Sequence, residues 1–285
     1  MFKICYAEEF DKDFIRWTGN LLHRFLADGR VGIVSQKRKP DLMLASIWRK
    51  HRFPKGLPVA LISNENWQLF PPRHRLSQYR AVIGIYPPPQ HLYAQECSRP
   101  LSFIQYPYEA VHFHLSIDSL LELREARLQS AKSKFCCFVV SNTVGDLASR
   151  RSEVFARINA YQKVDSAGSV VNNTGYLAPR GPDFLDWIAQ YKFMICLENS
   201  KTSGYITEKA LQASLAGTVP IYDGGGVEIF NSGAFVDCSR PDYLSRLSGL
   251  DNDTHEYEIM QSQALYSVRP SVQSFEEKFA ALFLN

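Results

Sequence analysis

The chain has 285 residues, of which 45% are hydrophobic and 21% are charged, and its formal net charge is +3. This length and hydrophobic content allow a large buried core, so wholesale disorder is excluded. The small positive charge, carried by Lys and Arg residues scattered among carboxylates, argues against a nucleic-acid-binding protein.

The N-terminal part alternates short apolar segments with helical or loop segments, which is typical of an α/β domain. A helix is predicted over 14–27, where Ile15, Leu22 and Phe25 recur at helical spacing. Tyr86 is followed by three prolines, which predict a rigid loop leaving a strand end. Strands are predicted at 3–6, 31–34, 42–46, 59–63 and 81–85.

A charged, helix-prone segment at 117–133 is the predicted boundary between two domains, 1–116 and 134–285. In the second domain, strands are predicted at 135–141, 164–165, 193–198, 219–222 and 235–237. Helices are predicted at 150–161, 183–191, 207–216 and 274–284. Two α/β halves with parallel strands predict two Rossmann-like domains facing across a cleft, with ligands beyond the carboxyl ends of the strands.

The N-terminus lacks an apolar stretch of signal-peptide length, and no run approaches ~18 apolar residues, so we expect a cytoplasmic protein without a membrane span. The six cysteines form no CxxC pair, which favours buried free thiols over a zinc site or disulfides. His112 and His114 form the one close histidine pair, which we expect to lie on a loop surface and not in a metal site.

The most informative segment is 191–226, where an apolar strand ends in Glu198 and Asn199 and a polar loop leads into a helix. Thr207 is a plausible N-cap of that helix, and Glu208 and Lys209 fall in its first turn. A helix N-terminus beside a strand end favours an anion. Lys209 can therefore neutralise a pyrophosphate, and Glu208 can accept from sugar or ribose hydroxyls. The alternative is a favourable first-turn acid beside a solvated lysine.

Several ordered motifs carry a resemblance to one family. YKFMICLENSKTSGYITEKALQASLAGTVPIYDGG resembles the signature of the α-1,3-fucosyltransferases: a strand ending in F-E-N-S, a Y-[IVT]-T-E-K helix start and a [TV]-[IV]-P-[IV]-Y strand. Upstream, CCFVVSN followed by Arg151, and then VDSAGSVVNNTG, resemble the V-S-N…R and V-D-S-x-G-x-x-x-N-N segments of that family. The likeness is strongest over 135–237 and continues weakly back to about residue 40.

The resemblance implies a GT-B fold in which the C-terminal domain holds the donor GDP-fucose and the N-terminal domain faces a glycan acceptor. It implies that Arg151 and Lys209 contact the diphosphate and that Glu208 binds donor hydroxyls. Fixed cations of this kind stabilise the leaving group, so no metal or other cofactor is expected. Further donor-pocket positions implied by the resemblance are Asn172, Glu198, Asn199 and Tyr205.

Two of these positions have a plain structural alternative. Arg151 could be a surface residue in the first turn of its helix, beside Arg150. Asn172 and Asn173 could simply satisfy a loop, since Asn tolerates turns.

One departure from the family concerns the base. The inverting mechanism implied by the resemblance needs a carboxylate to deprotonate the acceptor hydroxyl. In the family this acid follows the strand that matches 81–85, but here the loop 86–90 contains none. The nearest candidates are Glu96 and Glu65, for which a solvated and a structural role are the respective alternatives.

The sequence therefore predicts an inverting transfer of fucose from GDP-fucose to a glycan hydroxyl, in an α-1,3-type linkage with N-acetylglucosamine as a candidate acceptor. Two alternatives remain open: the same fold with another nucleotide sugar, or a donor-binding protein that has lost catalysis. We expect no nucleic-acid partner, and peripheral membrane contact only if the acceptor is lipid-linked.

Overall fold

The computed structural model describes residues 1–7, 18–19, 21–46, 53–63, 76–84, 88, 101–105, 117–141, 148–201, 205–267 and 272–284. The chain divides into two compact units. The first comprises Met1–Leu115 and Arg269–Asn285, and the second comprises Ser116–Val268.

The described residues form eleven strands and eight α-helices. The strands are β1 (Phe2–Tyr6), β2 (Val31–Ile33), β3 (Leu42–Ser46), β4 (Val59–Ser63), β5 (Ala81–Gly84), β6 (Ser102–Gln105), β7 (Lys134–Phe138), β8 (Val164–Ser166), β9 (Tyr191–Leu197), β10 (Val219–Asp223) and β11 (Val236–Asp237). The helices are α1 (His23–Ala27), α2 (Ile117–Leu128), α3 (Ala148–Tyr161), α4 (Pro182–Ile188), α5 (Glu208–Leu215), α6 (Tyr243–Asn252), α7 (Thr254–Ser262) and α8 (Val272–Phe283).

The first unit contains a parallel six-stranded sheet in the order β2-β1-β3-β4-β5-β6. Its three central strands β3, β4 and β5 are buried at every residue. Such strands consist of nearly continuous small and aliphatic residues because both faces of a parallel sheet are covered.

The second unit contains a parallel five-stranded sheet in the order β11-β10-β9-β7-β8. Strand β9 pairs with β7 on one side and β10 on the other. Phe193 and Ile195 on β9 are essentially inaccessible and pack in a core with residues of β7, α3, α6 and α7. Burial of these apolar side chains is the main stabilising contribution in this unit.

The last helix differs from its predicted place. We predicted a second domain running to 285, but α8 packs on the first unit: the Phe25 and Phe279 rings lie 5.5 Å apart, and Arg24 Nη1 is 3.0 Å from Glu276 Oε2. Helix α2, predicted as the boundary, belongs to the second unit, where Arg124 donates to the carbonyls of Gln261 and Gln263.

Other differences are local. Strand β9 begins at Tyr191, whereas we predicted 193, and α4 ends at Ile188, short of the predicted 191. The sequence analysis missed β6, α6 and α7. Strand β6 has a single buried residue, Ile104, so it lacks a strong apolar signal. Helix α7 has a recognisable cap, since the side chain of Asp253 accepts from the Glu256 amide. Across the described segments, no helix has the length and apolarity needed to cross a bilayer.

Candidate functional site

A cavity of about 710 Å³ opens in the second unit at the carboxyl ends of β7 and β9. These strands are neighbours, yet the chain continues from β7 to β8 on one side of the sheet and from β9 to β10 on the other. The cavity therefore lies at the switch point of a parallel sheet, which is where such folds bind ligands.

Gly168 brings the loop after β8 against the end of β7. A Cβ atom at this position would lie 2.3 Å from the carbonyl oxygen of Val140, so no side chain fits. The Val170 amide donates to the same carbonyl at 3.2 Å. Because both Val140 and Gly168 line the cavity, this close approach shapes one of its walls.

Glu198 follows β9 directly and is fully buried. Its carboxylate accepts hydrogen bonds from the Thr207 amide at 2.8 Å, from Thr207 Oγ1 at 2.6 Å and from Lys209 Nζ at 3.4 Å. Gly224 packs against it so closely that a Cβ there would lie 2.5 Å from Glu198 Cγ. Glu198 is absent from the cavity lining and holds residues that belong to it.

Thr207 occupies the predicted N-cap position of α5, but its side chain makes no capping hydrogen bond. Its hydroxyl instead donates to Glu198 and accepts from Lys209 Nζ at 2.7 Å. Thr207 is therefore the N-cap by position, as predicted, but without the usual hydrogen bond from a helix amide. Its hydroxyl oxygen accepts from the Lys209 ammonium instead, which as a charged group is a stronger donor than a backbone amide.

Lys209 lines the cavity with a side chain that is only 20% exposed. Burial pulls the pKa of Lys209 down, but the carboxylates of Glu198 and Glu208 outweigh burial, so its pKa stands above the ordinary value. The ammonium is thus charged and fixed in place. The alternative of a solvated surface lysine is wrong.

Arg151 is 4% exposed and also lines the cavity. Its Nη2 donates to Asn199 Oδ1. Burial lowers the pKa of Arg151, and the nearby Glu198 and Tyr205 oppose that shift. A guanidinium keeps its charge in proteins. Arg151 is therefore a buried cation and not the surface residue of the alternative interpretation. Arg150 points elsewhere and donates to the carbonyl of Cys238 at 2.6 Å.

The other predicted positions divide into two groups. Asn199 and Glu208 line the cavity beside Arg151 and Lys209, whereas Tyr205 is buried and is absent from the lining. Asn172 also lies outside the lining.

The amide groups of the Asn pair are used within their own loop. The Asn172 side chain accepts from the Gly175 amide at 3.0 Å and donates to the Tyr176 carbonyl at 2.8 Å. Asn173 accepts from the Ser166 amide at 2.7 Å and donates to the Val164 carbonyl at 2.8 Å, which ties the loop to β8. The geometry of both residues matches the loop alternative.

The candidate bases Glu65 and Glu96 lie outside the described residues. Within the described ranges, no three His, Cys, Asp or Glu side chains are grouped as a metal site would require. The sequence analysis missed Arg180 and Phe184, which also line the cavity. Arg180 stands between Pro179 and Gly181, outside the motifs that resemble the family, so the sequence gives little indication that it belongs to the site.

Comparison with known proteins decides the family. Residues 129–273, just over half of the chain, match the family described as glycosyltransferase family 10 (fucosyltransferase), C-terminal part. The chain belongs to glycosyltransferase family 10. This confirms the resemblance found in the sequence motifs.

Individual fucosyltransferases match parts of the chain. The alpha-(1,3)-fucosyltransferase FucT of Helicobacter pylori is 36% identical over 108 residues, 37% of this chain and 21% of the relative. The GDP-fucose protein O-fucosyltransferase 3 of Rattus norvegicus is 28% identical over 182 residues, 59% of this chain and 36% of the relative. The matches thus span between about a fifth and a third of these relatives' length.

Solved structures show the fold. A crystal structure of an alpha1,3-fucosyltransferase with GDP-fucose aligns with a TM-score of 0.72 at 21% identity, covering all of this chain and 90% of that chain. An alpha-glucosyltransferase in complex with UDP and DNA aligns with a TM-score of 0.59 at 11% identity, covering 99% of each chain. The predicted fold class, α/β with two Rossmann-like units of the GT-B type, is confirmed.

Proposed function

We propose that this chain transfers fucose from GDP-fucose to a glycan hydroxyl with inversion at the sugar carbon. The observation that carries the proposal is a pair of fixed cations, the buried Arg151 and the partly buried Lys209, at the switch-point cavity of a family 10 chain. Family membership supplies the fucosyltransferase class, and the relative crystallised with GDP-fucose suggests the donor.

The charges of the cavity suit a nucleoside diphosphate. Its described lining carries three cations, Arg151, Arg180 and Lys209, and one carboxylate, Glu208. A volume of about 710 Å³ falls within the range of roughly 300–1,000 Å³ usual for small-molecule sites.

These two fixed cations would act chiefly on the leaving group. As the bond between the sugar and the diphosphate breaks, negative charge builds on the diphosphate oxygens. Groups that are already positioned for that charge stabilise the transition state more than the ground state. Arg151 is held by Asn199, and Lys209 is held by Glu198 and Thr207, so neither has to reorganise as the charge develops. In this proposal Glu208 accepts hydrogen bonds from donor hydroxyls, and no metal ion is required.

The proposal also needs a base for the acceptor hydroxyl, and Glu96 is our first candidate, with Glu65 second. We expect Glu96→Gln to lower kcat at least ~10²-fold, because a positioned base contributes typically that much or more. GDP affinity should be retained, since the variant keeps the shape of the side chain and removes only its basicity. Glu65→Gln is the matched variant. Turnover at the parent rate in both variants would remove both residues from the role.

The proposal is tested with a panel of donors and acceptors. GDP-fucose, GDP-mannose and UDP-linked sugars are each incubated with oligosaccharides that end in N-acetylglucosamine or galactose. We expect transfer from GDP-fucose alone. Because the proposed mechanism inverts the sugar carbon, NMR of the product should show an α linkage formed from the β-linked donor. Transfer only from another nucleotide sugar would favour a different donor. Donor binding without transfer to any acceptor would favour a protein that has lost catalysis.

The class of acceptor has one specific rival. The relative from Rattus norvegicus is a protein O-fucosyltransferase, and its match covers more of this chain than the Helicobacter pylori match does. A folded protein domain with exposed Ser and Thr residues therefore belongs in the acceptor panel. Transfer to that domain and to no oligosaccharide would overturn the glycan acceptor while leaving the fucosyl donor in place.

A further inference from the structure

One side of the cavity is formed by the loop that follows β8 and by the start of α4. Leu177, Pro179 and Arg180 of this loop line the cavity, and Phe184 of α4 adds an aromatic ring. Leu177 is 61% exposed, so its side chain is accessible to a molecule in the cavity. This side of the cavity therefore combines apolar surface with one arginine.

The cavity extends in one direction from the switch point. Its described lining includes Ala167, Gly168 and Ser169 after β8, but no residue of β10. If Arg151 and Lys209 hold the diphosphate at the ends of β7 and β9, the nucleoside lies over the β8 side. This step rests on the proposed function.

Arg180 differs from the other two cations of the cavity. Arg151 donates to Asn199, and Lys209 is bound by Glu198 and Thr207. Arg180 is exposed, and among the described residues its guanidinium makes no hydrogen bond or ion pair. Its five N–H donors are therefore available to a ligand in the cavity.

We propose that Arg180 recognises the guanine base of the donor. The O6 and N7 atoms of guanine are adjacent acceptors, and arginine binds them through two parallel hydrogen bonds. Adenine presents an amino group in place of O6, which repels an N–H donor. Phe184 and Leu177 supply flat and apolar surface for the ring. Arg180 thus sets the preference of the site for guanine nucleotides, whereas Arg151 and Lys209 hold the diphosphate.

The test compares three probes on the full chain by calorimetry: GDP, ADP and inorganic pyrophosphate. For Arg180→Ala we expect GDP affinity to fall about ten- to hundred-fold, the range of one bidentate arginine–guanine contact. Affinities for ADP and pyrophosphate should stay within about two-fold, because neither offers the O6–N7 pair. Arg180→Lys keeps the charge and can still donate to O6 or N7, but it lacks the planar fork, so its GDP affinity should lie between those of the parent and Arg180→Ala.

Arg240→Ala is the matched control, since this arginine of the same unit is 67% exposed and does not line the cavity. An unchanged melting temperature without ligand verifies that Arg180→Ala folds. Equal losses for GDP and pyrophosphate would assign Arg180 to the phosphates and overturn the inference. Full GDP affinity in Arg180→Ala would overturn it as well. A parent protein that binds no GDP would overturn the proposed function itself, and this inference with it.

Discussion

Arg151 and Lys209 provide the sharpest test of the site at the scale of single residues. We expect Arg151→Ala and Lys209→Ala each to weaken GDP binding by about 1.5–3 kcal/mol, because each loses a charge-assisted contact to the diphosphate. Calorimetric titration with GDP measures the change. Lys163→Ala is the control, since that lysine is 75% exposed and lies outside the cavity lining. Unchanged GDP affinity in both test variants would remove these residues from the donor site.

Glu198 is expected to matter to GDP binding without touching the donor. Glu198→Gln replaces one carboxylate oxygen by an amino group, so the side chain can no longer accept both from the Thr207 amide and from the Thr207 hydroxyl and Lys209, and the negative charge beside Lys209 is lost. We expect the free energy of unfolding to fall by about 1.5–3 kcal/mol, and GDP affinity to fall because Lys209 is no longer held. Both are measured, the first by urea denaturation and the second by calorimetry.

Glu208→Gln is the comparison for stability, because Glu208 also lies beside Lys209 but is 32% exposed. Its free energy of unfolding should stay within about 0.5 kcal/mol of the parent value. If Glu198→Gln proves equally harmless, Glu198 does not hold this part of the site.

At the scale of elements, one lysine joins the ends of several helices. Lys132 Nζ donates to the carbonyls of Ala189 at 2.9 Å, Ala216 at 3.0 Å and Arg127 at 3.4 Å. These carbonyls follow α4 and α5 and lie in the last turn of α2. Because the last carbonyls of a helix have no partner within it, a cation there satisfies them and interacts favourably with the helix dipole.

We expect Lys132→Met to lower the free energy of unfolding by about 1–3 kcal/mol, since buried carbonyls lose their donor.

The effect of Lys132→Met on stability should depend on pH. Burial, and then Arg127, lower the pKa of Lys132 to about 8, whereas an unfolded lysine titrates near ~10.4. Between these values the unfolded state binds more protons, so the stability of the parent rises with pH there. Urea denaturation at pH 7 and 9.5 should show that the parent exceeds the variant in free energy of unfolding by more at pH 9.5 than at pH 7. A gap that narrows with pH would contradict this.

The sequence predicts the elements of the second unit better than their ends and connections. The motif from Tyr191 to Gly226 correctly indicates a strand, a loop, a helix and a second strand, because its apolar runs are long and bounded by Gly and polar residues. The partners of Glu198 and the place of Arg180 in the cavity lining are not predictable in this way. Whether an acid after a strand faces a cavity or lies beneath it depends on close packing, here by Gly224, which no local pattern records.

For the whole molecule, the proposal predicts activity without a divalent metal. In the proposed site Arg151 and Lys209 would neutralise the diphosphate in place of a metal, so EDTA treatment should leave most fucosyl transfer intact. The initial rate of transfer is measured before chelation, after chelation, and after Mn²⁺ or Mg²⁺ is added back. Loss of activity on chelation that either ion restores would mean that the proposed role of Arg151 and Lys209 is incomplete.

The buried thiols have a practical consequence for experiments on this chain. Cys5 lies in the first unit, and Cys136, Cys137, Cys196 and Cys238 lie in the second, all buried and free. Burial raises the pKa of each thiol, to about 11 for Cys5, so the native protein presents almost no thiolate at these positions to an alkylating reagent. Alkylation therefore requires local or global opening of the structure. Its rate at each cysteine reports the opening of the unit that contains that cysteine. The chain thus carries natural reporters in both units, and mass spectrometry can time each unit separately without any introduced label.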